Sequence, residues 1–175
     1  AKDADFISLG SLTMSSLPVD FSLQSYSIRI LCFDQDDPKK CTAKRLEKFN
    51  LSDNHSSFKT LPPMGIVLDP FSTNELNSDD IPLAEVGGIV GVDCSWNKAP
   101  ETFSRLRLMG LEPRSLPSVI PANPVNSGKA GKLTTAEAIA SALLICGQNL
   151  HADEIMSIFK WGPAFIEINS HLKES

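Results

Sequence analysis

The apolar positions of this chain first fall into register at Y-S-I-R-I-L-C-F (26–33), aromatic, β-branched and partly alternating, which predicts a strand. The acidic run 34–38 reads as a turn. Residues 42–49 then predict a short helix with Leu46 and Phe49 three apart on one face. The polar stretch 50–60 is a loop, and 65–68 is a short apolar strand stopped by Asp69-Pro70. In 78–85, Pro82 limits any helix to about one turn, with Ile81 and Leu83 as its buried residues. G-I-V-G-V-D (88–93) has the unbroken apolar character of a strand covered on both faces.

The second half reads differently. A helix is predicted over 101–108, and 116–120, broken by Pro117, is a strand end or an extended wall. Residues 123–131 form a loop rich in Asn, Gly and Lys. Thr134-Thr135-Ala136-Glu137 then fits a capping box, and small and apolar residues continue from Ala138 to Cys146, where Gly147 supplies a stop. Two more helices are predicted over 151–159 and 163–172, the latter opened by proline at its first position. Strands followed by a helical third describe an α/β domain whose C-terminal helices pack on a central sheet. Residues 1–25, rich in Ser and Leu without periodicity, read as an irregular lead-in.

With 175 residues, 42% of them hydrophobic and 21% charged, the chain has the composition of one soluble domain or of two small lobes sharing a core, which excludes a disordered chain. Its longest apolar runs fall far short of a membrane span, and no secretory signal is read at its start, so a cytoplasmic protein without a membrane partner is expected. Cys32, Cys41, Cys94 and Cys146 are spread with no C-x-x-C pair, and His55, His151 and His171 show no zinc spacing. Free thiols and no metal are the expectation.

The net charge of -5 conceals a segregation. Residues 61–97 contain no Lys or Arg but carry Asp69, Glu75, Asp79, Asp80, Glu85 and Asp93. Basic residues cluster at Lys39, Lys40, Lys44, Arg45 and Lys48, and again at Lys98, Arg105, Arg107, Arg114, Lys129 and Lys132. Such separation leaves either a positive face for an anionic partner or a merely solvated surface.

Nucleotide cradles (G-x-G-x-x-G, the P-loop), the G-x-S-x-G elbow and the H-E-x-x-H zinc pattern are all missing. Val92-Asp93-Cys94-Ser95-Trp96 instead brings an acid, a thiol, a hydroxyl and an indole to the end of a strand, where ligands of α/β sheets bind. Asp93 there is a candidate general base and Trp96 a stacking wall, or else a turn cap and a core anchor. The loop P-A-N-P-V-N-S-G (121–128) combines stiffness with free backbone groups able to read a nucleobase edge, or simply connects two elements. Basic residues at the start of K-K-C-T-A-K-R-L (39–46) oppose a helix dipole, which points to an anionic partner. The aromatic elbow F-K-W-G-P-A-F (159–165) reads as core packing.

Taken in order, D-P-K-K-C-T-A-K-R-L (37–46), I-V-L-D-P (66–70), V-D-C-S-W (92–96), R-S-L-P (114–117), A-N-P-V-N (122–126), K-L-T-T-A-E-A (132–138) and F-K-W-G-P-A-F-I-E-I-N (159–169) resemble the blocks of the small-subunit ribosomal RNA aminocarboxypropyltransferases. The resemblance spans residues 26–172. It implies a SPOUT-like knotted α/β fold, with an N-terminal α/β lobe over 26–110 and a C-terminal lobe over 111–175 carrying a central sheet and C-terminal helices. It also implies transfer of the 3-amino-3-carboxypropyl group of S-adenosylmethionine to uracil N3 of a uridine or pseudouridine in small-subunit rRNA, releasing methylthioadenosine. A monomer acting on rRNA or a pre-small-subunit particle is expected. The rivals are a SPOUT-type RNA methyltransferase and a non-catalytic pre-rRNA-binding assembly factor.

Carried over by position, the resemblance implies that Leu68, Pro70, Trp96, Ala99, Leu133 and Ala138 wall the adenine and the sulfonium methyl. Main-chain groups of Val92, Leu116 and Gly131 hold the ribose and adenine edge, and Thr42 and Thr135 offer hydroxyls to the methionine carboxylate. Asp93 lies beside the methionine part. Burying the methyl against Trp96 and Ala99 directs attack to the γ-carbon, and Asp93 either takes the N3 proton or attracts the cationic sulfonium or ammonium. Lys40, Arg45, Lys48, Arg105, Arg107 and Arg114 are the RNA-binding candidates. Ala43, where the family often has Gly, Ser127, where it often has Tyr, and Pro121 depart from its pattern.

Overall fold

The protein is seen in a computed structural model that describes residues 25–33, 41–95, 97–125 and 132–174. Residues 1–24 of the lead-in, the acidic turn, Lys40, Trp96, Ser127 and Gly131 lie outside the described residues.

Five strands, β1 (Ile28–Cys32), β2 (Asp53–His55), β3 (Ile66–Leu68), β4 (Ile89–Asp93) and β5 (Glu112–Arg114), form one sheet in the order β2-β1-β4-β3-β5. Every pairing is parallel. A parallel sheet must be covered on both faces, and the period of two sorts its side chains accordingly. Ile28, Ile30, Ile66, Leu68 and Ile89 belong to one apolar cluster, whereas Leu31, Val67 and Val90 belong to the other.

The first face carries most of the helical cover: α1 (Thr42–Lys48), α4 (Thr135–Ile145), α5 (Asn149–Met156) and α6 (Gly162–Ile168), through Leu46, Ile139, Leu143, Ile155 and Phe165. The second face is covered by α3 (Ala99–Leu108) through Ala99, Phe103 and Leu106. Nearly every side chain of α4 is buried, which explains its all-round apolar sequence. Gly91 at the middle of β4 permits this packing: a Cβ there would lie 3.1 Å from Thr135 Cγ2 and 3.2 Å from Ile139 Cδ1.

The structure departs from the sequence reading in ways that have local causes. β2 is D-N-H, an edge strand with no apolar signal, and β5 holds Pro113, which only an edge tolerates. Residues 116–120 are not a strand; the sheet ends at Arg114, with one isolated bridge between Glu75 and Ser115. Pro82 does not cut its helix short, because it lies in the first turn of α2 (Ile81–Gly87), where its missing N–H costs nothing.

The expectation of a SPOUT-like knotted fold is corrected. What the described residues form is an α/β fold of six helices on one five-stranded parallel sheet, and no knot is shown among them. β5, just beyond residue 110, pairs with β3, so the sheet runs on across that position. Motif blocks report the chemistry of loops. They carry no information on how those loops pass one another.

Where α2 ends against the start of β3, two glycines let backbones touch. Gly65 has φ +132°, and a Cβ on it would lie 2.6 Å from Gly87 O. Gly65→Ala is therefore expected to cost at least about 1–3 kcal/mol. Urea unfolding would show a lower midpoint at unchanged slope; an unchanged midpoint contradicts this account of the junction.

Candidate active site

Three strands of the sheet end at one cavity of about 400 Å³, within the range of small-molecule sites. Leu68, Asp69 and Pro70 leave β3, Gly91, Val92 and Cys94 close β4, and the stretch from Arg114 to Val119 leaves β5. Ala99 and Phe103 of α3 form one side, and Leu133, Thr134, Thr135 and Ala138 at the start of α4 form the other. Because Leu68 belongs to one face of the sheet and Val92 packs against the other, the cavity straddles the sheet edge.

Buried carboxylates hold this edge. Asp69 is inaccessible and accepts the Phe71 N–H at 2.8 Å and the Arg107 Nε–H at 2.9 Å. Asp80 accepts from Arg114 Nε at 3.0 Å, joining the exit of β5 to the turn before α2. Glu137 of α4 accepts N–H bonds from Ala122, Asn123 and Thr134. Asn169 accepts the Ile120 N–H at 2.8 Å and donates to the Ile120 carbonyl at 2.8 Å, tying the same segment to the end of α6.

Beside the cavity, β1 and β4 are neighbours in the sheet, although the chain passes from β1 to β2 on the opposite side. Such a reversal of strand order is where crevices open. Cys32 and Asp93 are paired in register there, and Cys41 precedes α1. The Cys41 thiol donates to Asp93 Oδ2 at 3.2 Å and the Cys32 thiol to the same oxygen at 3.8 Å. Burial, and after it the Asp93 carboxylate, push the Cys41 thiol up to about 12 against the opposing pull of the Lys44 amide. Cys41 therefore stays a protonated donor at neutral pH. Burial also raises Cys94, against a hydrogen bond with Thr102.

Of the cofactor candidates, Leu68, Pro70, Val92, Ala99, Leu116, Leu133, Thr135 and Ala138 lie on the one cavity. Thr42 does not line it and opens α1 next to Cys41. Asp93, between two lining residues, turns its Oδ2 to the thiols. Trp96 and Gly131 lie outside the described residues.

The basic candidates divide. Arg107 and Arg114 are engaged by Asp69 and Asp80. Arg45 donates to the Ile158 carbonyl at 2.8 Å and covers the Phe159 ring, Arg105 lies 4.2 Å over the Phe58 ring, and Lys48 is exposed. Lining residues missed in the sequence include Phe103, Ser118 and Val119. Phe103 is buried on α3 with Ala99 and Leu106, and the sequence reading does not single it out within the predicted helix.

Known proteins resemble this chain in sequence and fold. The family model described as "Ribosome biogenesis protein, C-terminal" matches residues 66–175. A protein named 16S rRNA aminocarboxypropyltransferase from Methanosarcina acetivorans is 41% identical over 77% of this chain and 76% of its own length. The protein of that name from Methanopyrus kandleri is 43% identical over 79% of this chain and 82% of its own. The chain belongs to this ribosome biogenesis family. The solved structure of the SAM-dependent rRNA:acp-transferase Tsr3 from Vulcanisaeta distributa matches with TM-score 0.80 and 38% identity, covering 85% of this chain and 81% of that one. The fold likeness is thus to an aminocarboxypropyl transferase of the same family, and it accompanies the plain α/β description above.

A short second match, residues 27–56, is to a model described as a possible Fer4-like domain in RNase L inhibitor. That segment supplies two cysteines, Cys32 and Cys41, which group with Asp93 and with no further cysteine among the described residues. A four-iron cluster needs four thiolates, so the donor set does not fit one.

Arg107→Gln leaves the Asp69 carboxylate buried with a weaker partner, and a loss of about 1–3 kcal/mol is expected in chemical unfolding. Arg105→Gln on the same helix, which gives up a ring contact and no carboxylate, is expected to cost less than about 1 kcal/mol. Equal losses would contradict the structural role given to Arg107.

Proposed function

We propose that this chain uses S-adenosylmethionine to transfer a 3-amino-3-carboxypropyl group to uracil N3 of a uridine or pseudouridine in small-subunit rRNA, releasing methylthioadenosine during ribosome maturation. The observation that carries this reading is the cavity itself. Its wall gathers residues from four of the seven motif blocks, in a chain about two-fifths identical to relatives named for that reaction.

The cavity suits the donor. Leu68, Pro70, Val92, Ala99, Leu133 and Ala138 supply apolar wall for an adenine and a methyl, and the Leu116–Val119 segment supplies backbone groups. The N-terminus of α4, an eleven-residue helix, opens on the cavity at Thr134 and Thr135, where its free N–H groups and the Thr135 hydroxyl favour a carboxylate. Thr42 and the main chain of Gly131 complete the set in this reading. When bound, S-adenosylmethionine supplies a sulfonium whose carbons are electrophilic, the γ-carbon of its methionine part among them. Ala99, with Trp96, buries the smallest of these so that the open approach leads to the amino-acid arm.

Asp93 is the proton acceptor in this reading. Both thiols address its Oδ2, which holds the carboxylate in one orientation and directs Oδ1 to the N3 proton. Lys40, Arg45, Lys48 and Arg105 are the residues that meet RNA phosphates in this reading. Arg107 and Arg114 serve that contact through the ion pairs that hold the loops. No described helix is long and apolar enough to cross a membrane. The enzyme acts as a monomer in the cytoplasm in this reading.

Incubation with small-subunit rRNA and S-adenosylmethionine labelled in the carboxyl carbon is expected to place label in the RNA. Label in RNA only from a methyl-labelled donor would identify a methyltransferase instead, and no cofactor binding in calorimetry would identify an assembly factor. Asp93→Asn is expected to slow turnover by roughly a hundred- to ten-thousand-fold with little change in donor affinity. A large affinity loss with normal single-turnover chemistry contradicts the role of base.

A further inference from the structure

We propose that Glu137 is a positioning residue for the cavity, its buried carboxylate setting the distance between the two walls that close on S-adenosylmethionine; this rests on the reading of the cavity given above. A capping box asks little of its acid: one bond to the N-cap backbone. That bond is present, from the Thr134 N–H to Oε1 at 2.9 Å, and the Thr134 hydroxyl accepts the Glu137 N–H at 3.1 Å in return. Three further donors come from another segment. Ala122 N–H and Asn123 N–H reach Oε2 at 2.7 and 3.2 Å, and the Asn123 side-chain amide reaches Oε1 at 2.7 Å. Glu137 is fully buried and Asn123 nearly so.

The two segments tied here belong to one wall system. Leu116 to Val119 line the cavity a few residues before Ala122, and Leu133, Thr134 and Thr135 line it at the mouth of α4. The Asn123 amide also donates to the Lys132 carbonyl at 3.3 Å, so the bridge is doubled. A carboxylate presents acceptors on both oxygens to all four N–H groups. Glutamine presents one oxygen and one NH₂, so part of the cluster would set donor against donor.

The test is calorimetric titration of the full chain with S-adenosylmethionine, at a temperature where circular dichroism shows each variant folded. Glu137→Gln is expected to weaken binding at least about tenfold, and Asn123→Ala to weaken it less. Ile155→Val, a core truncation in α5 away from the cavity, is expected to lower the melting temperature while keeping wild-type affinity. A folded Glu137→Gln protein with wild-type affinity overturns the inference. So does an Ile155→Val protein that loses as much affinity, since that would make the effect one of general stability. Should Glu137→Gln fail to fold, Asn123→Ala decides, and unchanged affinity there overturns the inference. No binding by the wild-type chain overturns the reading of the cavity and this inference with it, whereas intact wild-type binding with unaffected variants overturns the inference alone.

Discussion

A carboxylate taken out of water must be met by donors, and at the C-terminal edge of this sheet that requirement arranges the loops. Asp69, Asp80 and Glu137 are each buried, and each is answered by a group distant in sequence: Arg107, Arg114, and the Ala122–Asn123 backbone. Short parallel strands of three residues could not hold loops of this length by their ladders alone. The buried acids do so because leaving any of them unpaired costs more than the loops gain by moving. A cavity whose walls come from β3, β4, β5, α3 and α4 depends on this, since none of those elements surrounds it by itself.

The same acids change how the charge pattern along the chain is understood. The stretch 61–97 lacks Lys and Arg, and later basic residues read as a separate positive region. Two of those arginines cross back to the acidic stretch, over 38 residues for Arg107 and 34 for Arg114. Part of the apparent segregation is therefore long-range pairing written as separate blocks. Arg107 and Arg114 are engaged in these ion pairs, and Arg45 and Arg105 lie over the Phe159 and Phe58 rings while staying exposed.

How much was legible follows from which physical signal each residue carried. The core of β1, β3 and β4 and the capping box of α4 were readable because apolar period and cap chemistry are local. β2 and β5 were not, since D-N-H and E-P-R show no strand pattern and pair only because a neighbouring edge is available. Motif blocks located most of the cavity wall without revealing that the wall straddles the sheet. Glu137 was visible only as a cap, because the sequence cannot show that Ala122 and Asn123 return to it. The expectation of a knot failed for a related reason: threading is a property of chain path, and the blocks describe only points along that path.

The environment of Asp93 differs from that of Asp69 and Asp80. A carboxylate can be oriented by backbone N–H groups or by a cation, either of which favours its ionised form. Here the orienting donors are thiols, Cys41 at 3.2 Å and Cys32 at 3.8 Å, which are weak donors. They fix direction without adding positive charge. The fold thus gives the same functional group two settings: Asp69 and Asp80 are matched with guanidinium, and Asp93, at the strand reversal, with thiols.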